Sequence, residues 1–114
     1  TGLKKNDILF IDSSHELKTG NDVTFLYLHV LPKLEPGVLV HIHDIFLPYE
    51  YPQEWVVDQR WGWNEQYLVQ SILTFGNTFD ALWPGYYLQE SDIEFENYFP
   101  HIRKKARSLW LKKN

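Results

Sequence analysis

The segments DILFIDSSH (7–15) and VLVHIHD (38–44) decide the fold of this chain. Each is a short apolar run that ends in acidic and histidine residues. Residues 21–34, between them, carry apolar side chains at the three-and-four spacing of a helix. This order predicts two neighbouring parallel strands joined by a crossover helix. Ligands of such sheets bind beyond the carboxyl ends of the strands, so the polar residues of both segments should share one edge.

Side chains suited to catalysis or metal binding follow both predicted strands. The four candidates are Asp12, His15, His43 and Asp44. Carboxylates that converge on one point bind divalent cations, and an imidazole can remove a proton from a hydroxyl near neutral pH. The alternative is structural. In that case Asp12 caps the following turn, Asp44 orients a loop or His43, and each histidine is an ordinary surface or hydrogen-bonded residue.

The rest of the chain continues the alternation of helices and strands. Asn64 is placed to cap a second helix that should end at Gly76. Glu65 is either a first-turn charge, which its position favours, or a site residue. The elements expected after it are a strand at 78–83, a turn at Pro84-Gly85, a short helix from Ser91 and a strand at 108–112. The pattern predicts one α/β domain of three layers over residues 1–114.

Residues 46–63, here called the aromatic loop, show no clean period and are rich in Trp, Tyr and Pro. This composition is typical of an ordered loop rather than a linker. Tyr49, Trp55 and Trp63 are candidates for a wall or lid around an aromatic or sugar substrate. The alternative is that these rings simply cover the sheet.

Composition excludes several classes of protein. The chain of 114 residues has no Cys, so disulfides and Cys-based zinc sites are excluded. The net charge of -4 argues against a general nucleic-acid binder. No apolar run reaches the roughly 20 residues that span a bilayer, so a soluble cytoplasmic protein is expected.

Six of the 11 basic residues lie at 103–113. This segment is interpreted as a solvated tail beside a strand or, alternatively, as a site for a phosphate or an acidic partner.

Taken with LPKLEPG (31–37), the two deciding segments resemble the second half of class I S-adenosylmethionine-dependent methyltransferases, in the O-methyltransferase and cephalosporin-hydroxylase-like branch. Further similar segments are HDIFLP (43–48), WNEQYL (63–68) and SLWL (108–111). The resemblance implies a Rossmann-like sheet of which only strands four to seven are present. The last strand would run antiparallel between the fifth and sixth.

The same resemblance implies that the first three strands of the fold are missing, together with the Gly-rich loop and the acid that hold the cofactor. No G-x-G occurs in the sequence, and it contains no Met. We therefore expect a piece of a longer protein, with weak cofactor binding of its own. Its first strand would be an uncovered edge, which favours pairing with another chain and a homo-oligomer.

For the site, the resemblance implies S-adenosylmethionine as cofactor, with Asp12 and Ser13 as cofactor-binding residues. Asp12 and Asp44 would hold Mg²⁺, although Ile45 stands where a further ligand often follows. His15 or His43 would act as general base toward a small-molecule hydroxyl.

Two other functions stay open. A non-catalytic α/β module would use its sheet edge for self-association or for binding a partner. A metal-dependent hydrolase is a weaker alternative, because the spacing of the acidic and histidine residues matches no hydrolase motif.

Overall fold

Four strands form one mixed sheet in the computed structural model, which describes residues 1–114. They are β1 (Ile8–Ile11), β2 (Leu39–His43), β3 (Phe79–Pro84) and β4 (Ser108–Lys113). Their order across the sheet is β1-β2-β4-β3. β1 and β2 are parallel, whereas β4 is antiparallel to both of its neighbours. The architecture is α/β and consistent with a Rossmann-like fold, and the expected antiparallel position of the last strand is confirmed.

The crossover between β1 and β2 is helical, as predicted, but it changes character along its length. α1 (Asp22–Phe25) begins at Asn21, whose side chain accepts a hydrogen bond from the Thr24 amide. It continues as a π-helical turn (Leu26–Val30) and a 3-10 turn (Leu31–Lys33). Pro32 lies in that last turn, where its missing N–H prevents the α-helical ladder from continuing.

The second half of the chain contains three more helices: α2 (Glu65–Phe75), α3 (Gly85–Ser91) and α4 (Phe95–Tyr98). The predicted span of α2, ending before Gly76, is confirmed. The predicted turn at Pro84-Gly85 is wrong, because α3 begins there. A Cβ on Gly85 would lie 2.9 Å from the Ser108 carbonyl oxygen, so glycine lets α3 start directly against β4. No helix is long and apolar enough to cross a membrane.

Apolar side chains alternate along the strands and fill a core on one face of the sheet. Ile11, Val40, Ile42, Leu109 and Leu111 are buried on this face, and they pack against Val23, Tyr27 and Leu31 of the crossover and Val69 of α2. The opposite face is less covered. His41 lies there, stacked on Trp110 at 4.2 Å and 2.7 Å from the Ser108 hydroxyl. Burial lowers the pKa of His41.

Candidate functional site

The carboxyl ends of β1 and β2 lie side by side because the two strands are parallel neighbours, with Ile11 opposite Ile42. Asp12 and Asp44 follow directly. One ligand atom from each of four residues, Asp12, His15, His43 and Asp44, lies within 4.8 Å of the others. The structure therefore brings together all four residues that the sequence placed at this edge. We call this group the rim cluster.

In the rim cluster, one ring nitrogen of each histidine lies close to both carboxylates. The Nε2 atom of His15 lies 3.4 Å from Asp12 Oδ1 and 3.5 Å from Asp44 Oδ2. The Nδ1 atom of His43 lies 2.9 Å from Asp44 Oδ2 and 3.6 Å from Asp12 Oδ1. The side chains of His15 and Asp44 are buried, whereas that of Asp12 is 53% exposed. The cluster is thus accessible from the side of Asp12.

Two buried atoms of the rim cluster lack hydrogen-bond partners: His43 Nδ1 and Asp44 Oδ1. His43 Nδ1 is close enough to Asp44 Oδ2 for a hydrogen bond, but the angle between the groups does not allow one. Asp44 Oδ1 lies 3.4 Å from the Nη1 atom of Arg107, an ion-pair distance. Buried polar atoms are almost always partnered in folded proteins. The cluster therefore has unused donor and acceptor capacity that a cation or a substrate hydroxyl would complete.

Glu65, the first residue of α2, is not a member of the rim cluster but contacts its His15 from the opposite side of the ring. Its Oε1 atom lies 3.0 Å from His15 Nδ1, and its Oε2 atom accepts a hydrogen bond of 2.6 Å from the Ser13 hydroxyl. Glu65 is fully buried. Glu65 does lie in the first turn of α2, but these contacts favour the other interpretation, that it is a site residue. A sequence signal existed, since Glu65 is four residues before the buried Val69 and so shares its helix face.

The electrostatic environment of His15 combines opposing effects. Burial lowers its pKa, but the hydrogen bond and the negative charge of Glu65, with the charges of Asp44 and Asp12, outweigh burial, so the pKa is raised. Burial and the charge of Glu65 also raise the pKa of Tyr27, whose hydroxyl is buried nearby. His15 is thus a basic imidazole among carboxylates.

The aromatic loop is attached to α2 by Gln66, which is fully buried. The amide of Gln66 accepts from the Phe46 N–H at 3.0 Å and donates to the Tyr49 carbonyl at 3.1 Å. Its own backbone N–H donates to the Tyr51 hydroxyl at 3.0 Å. Burial raises the pKa of Tyr51. Gln66, the neighbour of Glu65, therefore holds the aromatic loop through both its side chain and its backbone N–H.

The three aromatic substrate candidates take different positions. Trp63 lies on the His15 ring, with ring centroids 4.1 Å apart. Trp55 contacts Trp63 and lies under the guanidinium of Arg107 at 5.5 Å. Tyr49 packs instead near Tyr86, at 5.7 Å between ring centroids. Trp63 and Trp55 thus border the rim cluster, and Tyr49 lies further along the loop.

Arg107 places part of the basic segment beside the rim cluster, which the interpretation of that segment as a solvated tail did not anticipate. A cleft of about 430 Å³ lies beside it. Its lining combines aromatic rings with cations: Phe46, Pro52, Glu54, Trp55, Tyr86, Arg103, Lys104, Lys105 and Arg107. Lys105 forms an ion pair with Glu90, so it is partly neutralised.

Comparison with known proteins gives one match. Residues 1–45 match a family model described as a methyltransferase domain. This stretch contains β1, the crossover, β2 and all four residues of the rim cluster. No curated protein and no solved structure matches the chain. The match supports a methyltransferase domain, and with it methyl transfer as the general activity.

Proposed function

We propose that this chain supplies the acceptor side of a methyltransferase that moves a methyl group from S-adenosylmethionine to a hydroxyl of a small molecule. The observation that carries the proposal is the position of His15 Nε2 within 3.5 Å of two carboxylates at adjacent strand ends. The family match over the same two strands supports the type of reaction. The expected second-half position in the parent fold is part of this proposal.

In the proposed reaction, His15 accepts a proton at Nε2 from the substrate hydroxyl as its O–H bond breaks. When bound, S-adenosylmethionine would supply the methyl group, so that the substrate oxygen would form the new C–O bond as the C–S bond of the sulfonium breaks. The products are the methyl ether, the thioether form of the cofactor and one proton held by His15. The residues of this chain would align the reacting groups and stabilise the charges that change during the reaction.

Asp12 and Asp44 would hold a divalent cation in this proposal. Asp12 Oδ1 and Asp44 Oδ2 fit such a group, since each lies within 3.6 Å of a ring nitrogen of His15 and of His43 and the two carboxylates converge on one point. When bound, a divalent cation supplies positive charge that lowers the pKa of a nearby hydroxyl. His43, at 2.9 Å from Asp44, would orient that carboxylate or serve as a second base.

The identity of the cation is a separate question. Mg²⁺ prefers oxygen ligands in octahedral geometry, whereas imidazole nitrogens suit zinc, iron and nickel. Two imidazoles lie among the four candidate donors. Because His15 is the proton acceptor in this proposal, it is not counted as a ligand, and His43 is the nitrogen donor beside the two carboxylates. This mixed donor set does not favour Mg²⁺. Mn²⁺ is a suitable probe, because it binds carboxylates and has a magnetic signal.

The cofactor would approach the rim from the side of Asp12 and Ser13, with Asp12 half-exposed there. Trp63 and Trp55 would form the substrate wall, and Tyr49 an outer contact. The sequence has no Gly-rich loop, so tight cofactor binding would need residues outside these 114.

The test is calorimetric titration of the product of the complete reading frame with S-adenosylmethionine, with and without Mn²⁺. We expect saturable binding at one site per chain, and methyl transfer to hydroxyl compounds in a subsequent screen. A folded protein that binds no S-adenosylmethionine under either condition would overturn the proposal.

A non-catalytic module remains a second candidate, favoured by one observation. β1 is an edge strand, and its Ile8 and Phe10 side chains are 52% and 55% exposed. An exposed apolar edge strand is a template for pairing with another chain. Self-association through this edge is compatible with either function.

A further inference from the structure

We propose that Glu65 is a positioning residue that fixes the tautomer and orientation of His15, so that the lone pair of Nε2 faces the rim cluster. The inference deepens the proposed function, because it concerns the residue assigned there as general base. It goes beyond that assignment by naming the group that makes His15 competent to accept a proton.

The contact between Glu65 and His15 decides which ring nitrogen carries the hydrogen. An ionised carboxylate only accepts hydrogen bonds. The 3.0 Å contact between Glu65 Oε1 and His15 Nδ1 is a hydrogen bond, whereas the longer contacts of Nε2 with Asp12 and Asp44 are ion-pair distances only, so the hydrogen of a neutral ring is favoured on Nδ1. In a neutral imidazole the other nitrogen then has the lone pair. That nitrogen is the one within 3.5 Å of Asp12 and Asp44.

The Glu65 carboxylate is itself held in place. The Ser13 hydroxyl donates to Oε2 of Glu65 at 2.6 Å, and Glu65 is fully buried. The His15 amide donates to the same Ser13 hydroxyl at 3.0 Å. Ser13, His15 and Glu65 thus form a closed set of hydrogen bonds.

The backbone of His15 is attached to the first turn of α2, which also carries Glu65. Its carbonyl oxygen accepts from the Asn64 and Glu65 amides at 2.9 and 3.1 Å. Its φ is 62°, a left-handed conformation that is uncommon for a non-glycine residue. The Trp63 ring covers one face of the imidazole. Rotation of the ring is restricted on every side except the rim.

A purely structural role explains these observations less well. A negative charge at a helix start is stabilising when exposed, and burial is not needed for that effect. Burying a carboxylate carries a desolvation cost that a neutral residue such as the adjacent Gln66 avoids. The position of Glu65, directed at Nδ1 and away from solvent, is instead that of the carboxylate in carboxylate–histidine pairs that orient a functional imidazole.

The direct test is nitrogen NMR of the 114-residue chain with ¹⁵N-labelled histidine, at a pH where His15 is neutral. We expect the wild type to show His15 with hydrogen on Nδ1, the tautomer that free histidine disfavours. Glu65→Gln should populate the Nε2–H tautomer, because the glutamine amide can donate to Nδ1. Glu65→Asp keeps the charge and should keep the Nδ1–H tautomer.

The exposed Glu96→Gln variant on α4 is the matched control and should leave the His15 signals unchanged. An Nε2–H tautomer in the wild type overturns the inference, even if Glu65→Gln does not fold. So does an unchanged tautomer in a folded Glu65→Gln variant.

A second measurement separates this inference from the proposed function. In the complete enzyme, Glu65→Gln should lower kcat by about 10- to 100-fold, the range seen when a partner of a functional histidine is removed, with KM for S-adenosylmethionine unchanged. If the Nδ1–H tautomer is found but no methyl transfer, the proposed function fails and the positioning role stands. If methyl transfer is found and Glu65→Gln retains full kcat, the positioning role fails and the function stands.

Discussion

His15 and Asp44 both have left-handed backbone conformations, with φ of 62° and 65°. Such conformations cost about 1–3 kcal/mol for non-glycine residues and concentrate at functional sites. At His15 the cost is offset by the two amide hydrogen bonds to its carbonyl. The sharp turns after β1 and β2 are what direct both side chains to one point.

The sequence identified the rim cluster because its four residues directly follow two recognisable strands. Glu65 and Arg107 were not identified, because each reaches the cluster from a distant part of the chain; His15 and Glu65 are 50 residues apart. Local patterns report on neighbours along the chain and along a helix face. They do not report which helix start packs against which strand end.

Asp22 provides a test at the scale of single residues. It accepts hydrogen bonds from the Ser14 amide and hydroxyl at 2.8 and 2.6 Å, which connect the loop carrying His15 to α1. The Ser14 hydrogen bond lowers the pKa of Asp22. The stabilisation should be present above the unfolded-state pKa of about 3.9 and disappear as the pH falls through the lower folded-state value.

In urea titrations we expect Asp22→Asn to unfold earlier than the wild type at pH 6 and the difference to shrink below pH about 3.9. Asp58→Asn, an exposed acid without hydrogen bonds, should show no such change. A difference between Asp22→Asn and wild type that stays constant down to pH 2 would refute the assignment.

At the scale of elements, the predicted order of strands and helices from β1 to β3 is confirmed. The end of β3 was not predicted correctly, because a Pro-Gly pair signals a turn locally while the close packing of Gly85 on β4 allows a helix to begin. Tertiary packing overrode the local signal there.

Ile42 tests the core between the sheet and the crossover. Its side chain is fully buried, so Ile42→Ala should lower the free energy of unfolding by about 2–5 kcal/mol, measured by urea titration. Ile8→Ala on the exposed face of the neighbouring strand is the control and should cost about 0.5 kcal/mol or less. Equal effects of the two variants would mean that the covered face is assigned wrongly.

Gln66 tests how the aromatic loop is held. Gln66→Leu leaves the buried Phe46 N–H without a partner, which should cost about 1–3 kcal/mol of stability. Hydrogen exchange should accelerate at Phe46 while the amides of β1 and β2 keep their protection, because the contact lies outside the sheet. Unchanged exchange at Phe46 in the folded variant would show that Gln66 does not hold the loop.

At the scale of the whole molecule, the sheet is covered well on one face and incompletely on the other. The exposed side carries Ile8 and Phe10 on β1, at the sheet edge. The resemblance to a methyltransferase, rather than any residue pattern, predicted the position of β4 between β2 and β3. Chain order alone gives no reason for the last strand to insert between two earlier ones.

We expect self-association through this edge, measurable by size-exclusion chromatography with light scattering. Phe10→Lys should shift the protein toward the monomer, because it places a charge on the exposed edge strand. Phe75→Lys, at an 89% exposed position of α2, is the control and should leave the oligomeric state unchanged. A monomeric wild type at high concentration would contradict this expectation.

Mn²⁺ binding to the rim cluster can be measured by electron paramagnetic resonance. The claim is that two parallel strands bring Asp12 and Asp44 to one point, where they hold a divalent cation. We predict one Mn²⁺ site per chain, weakened at least about tenfold in Asp12→Asn and in Asp44→Asn, and unchanged in Asp58→Asn. Absence of binding, or equal affinity in wild type and both site variants, would contradict the account.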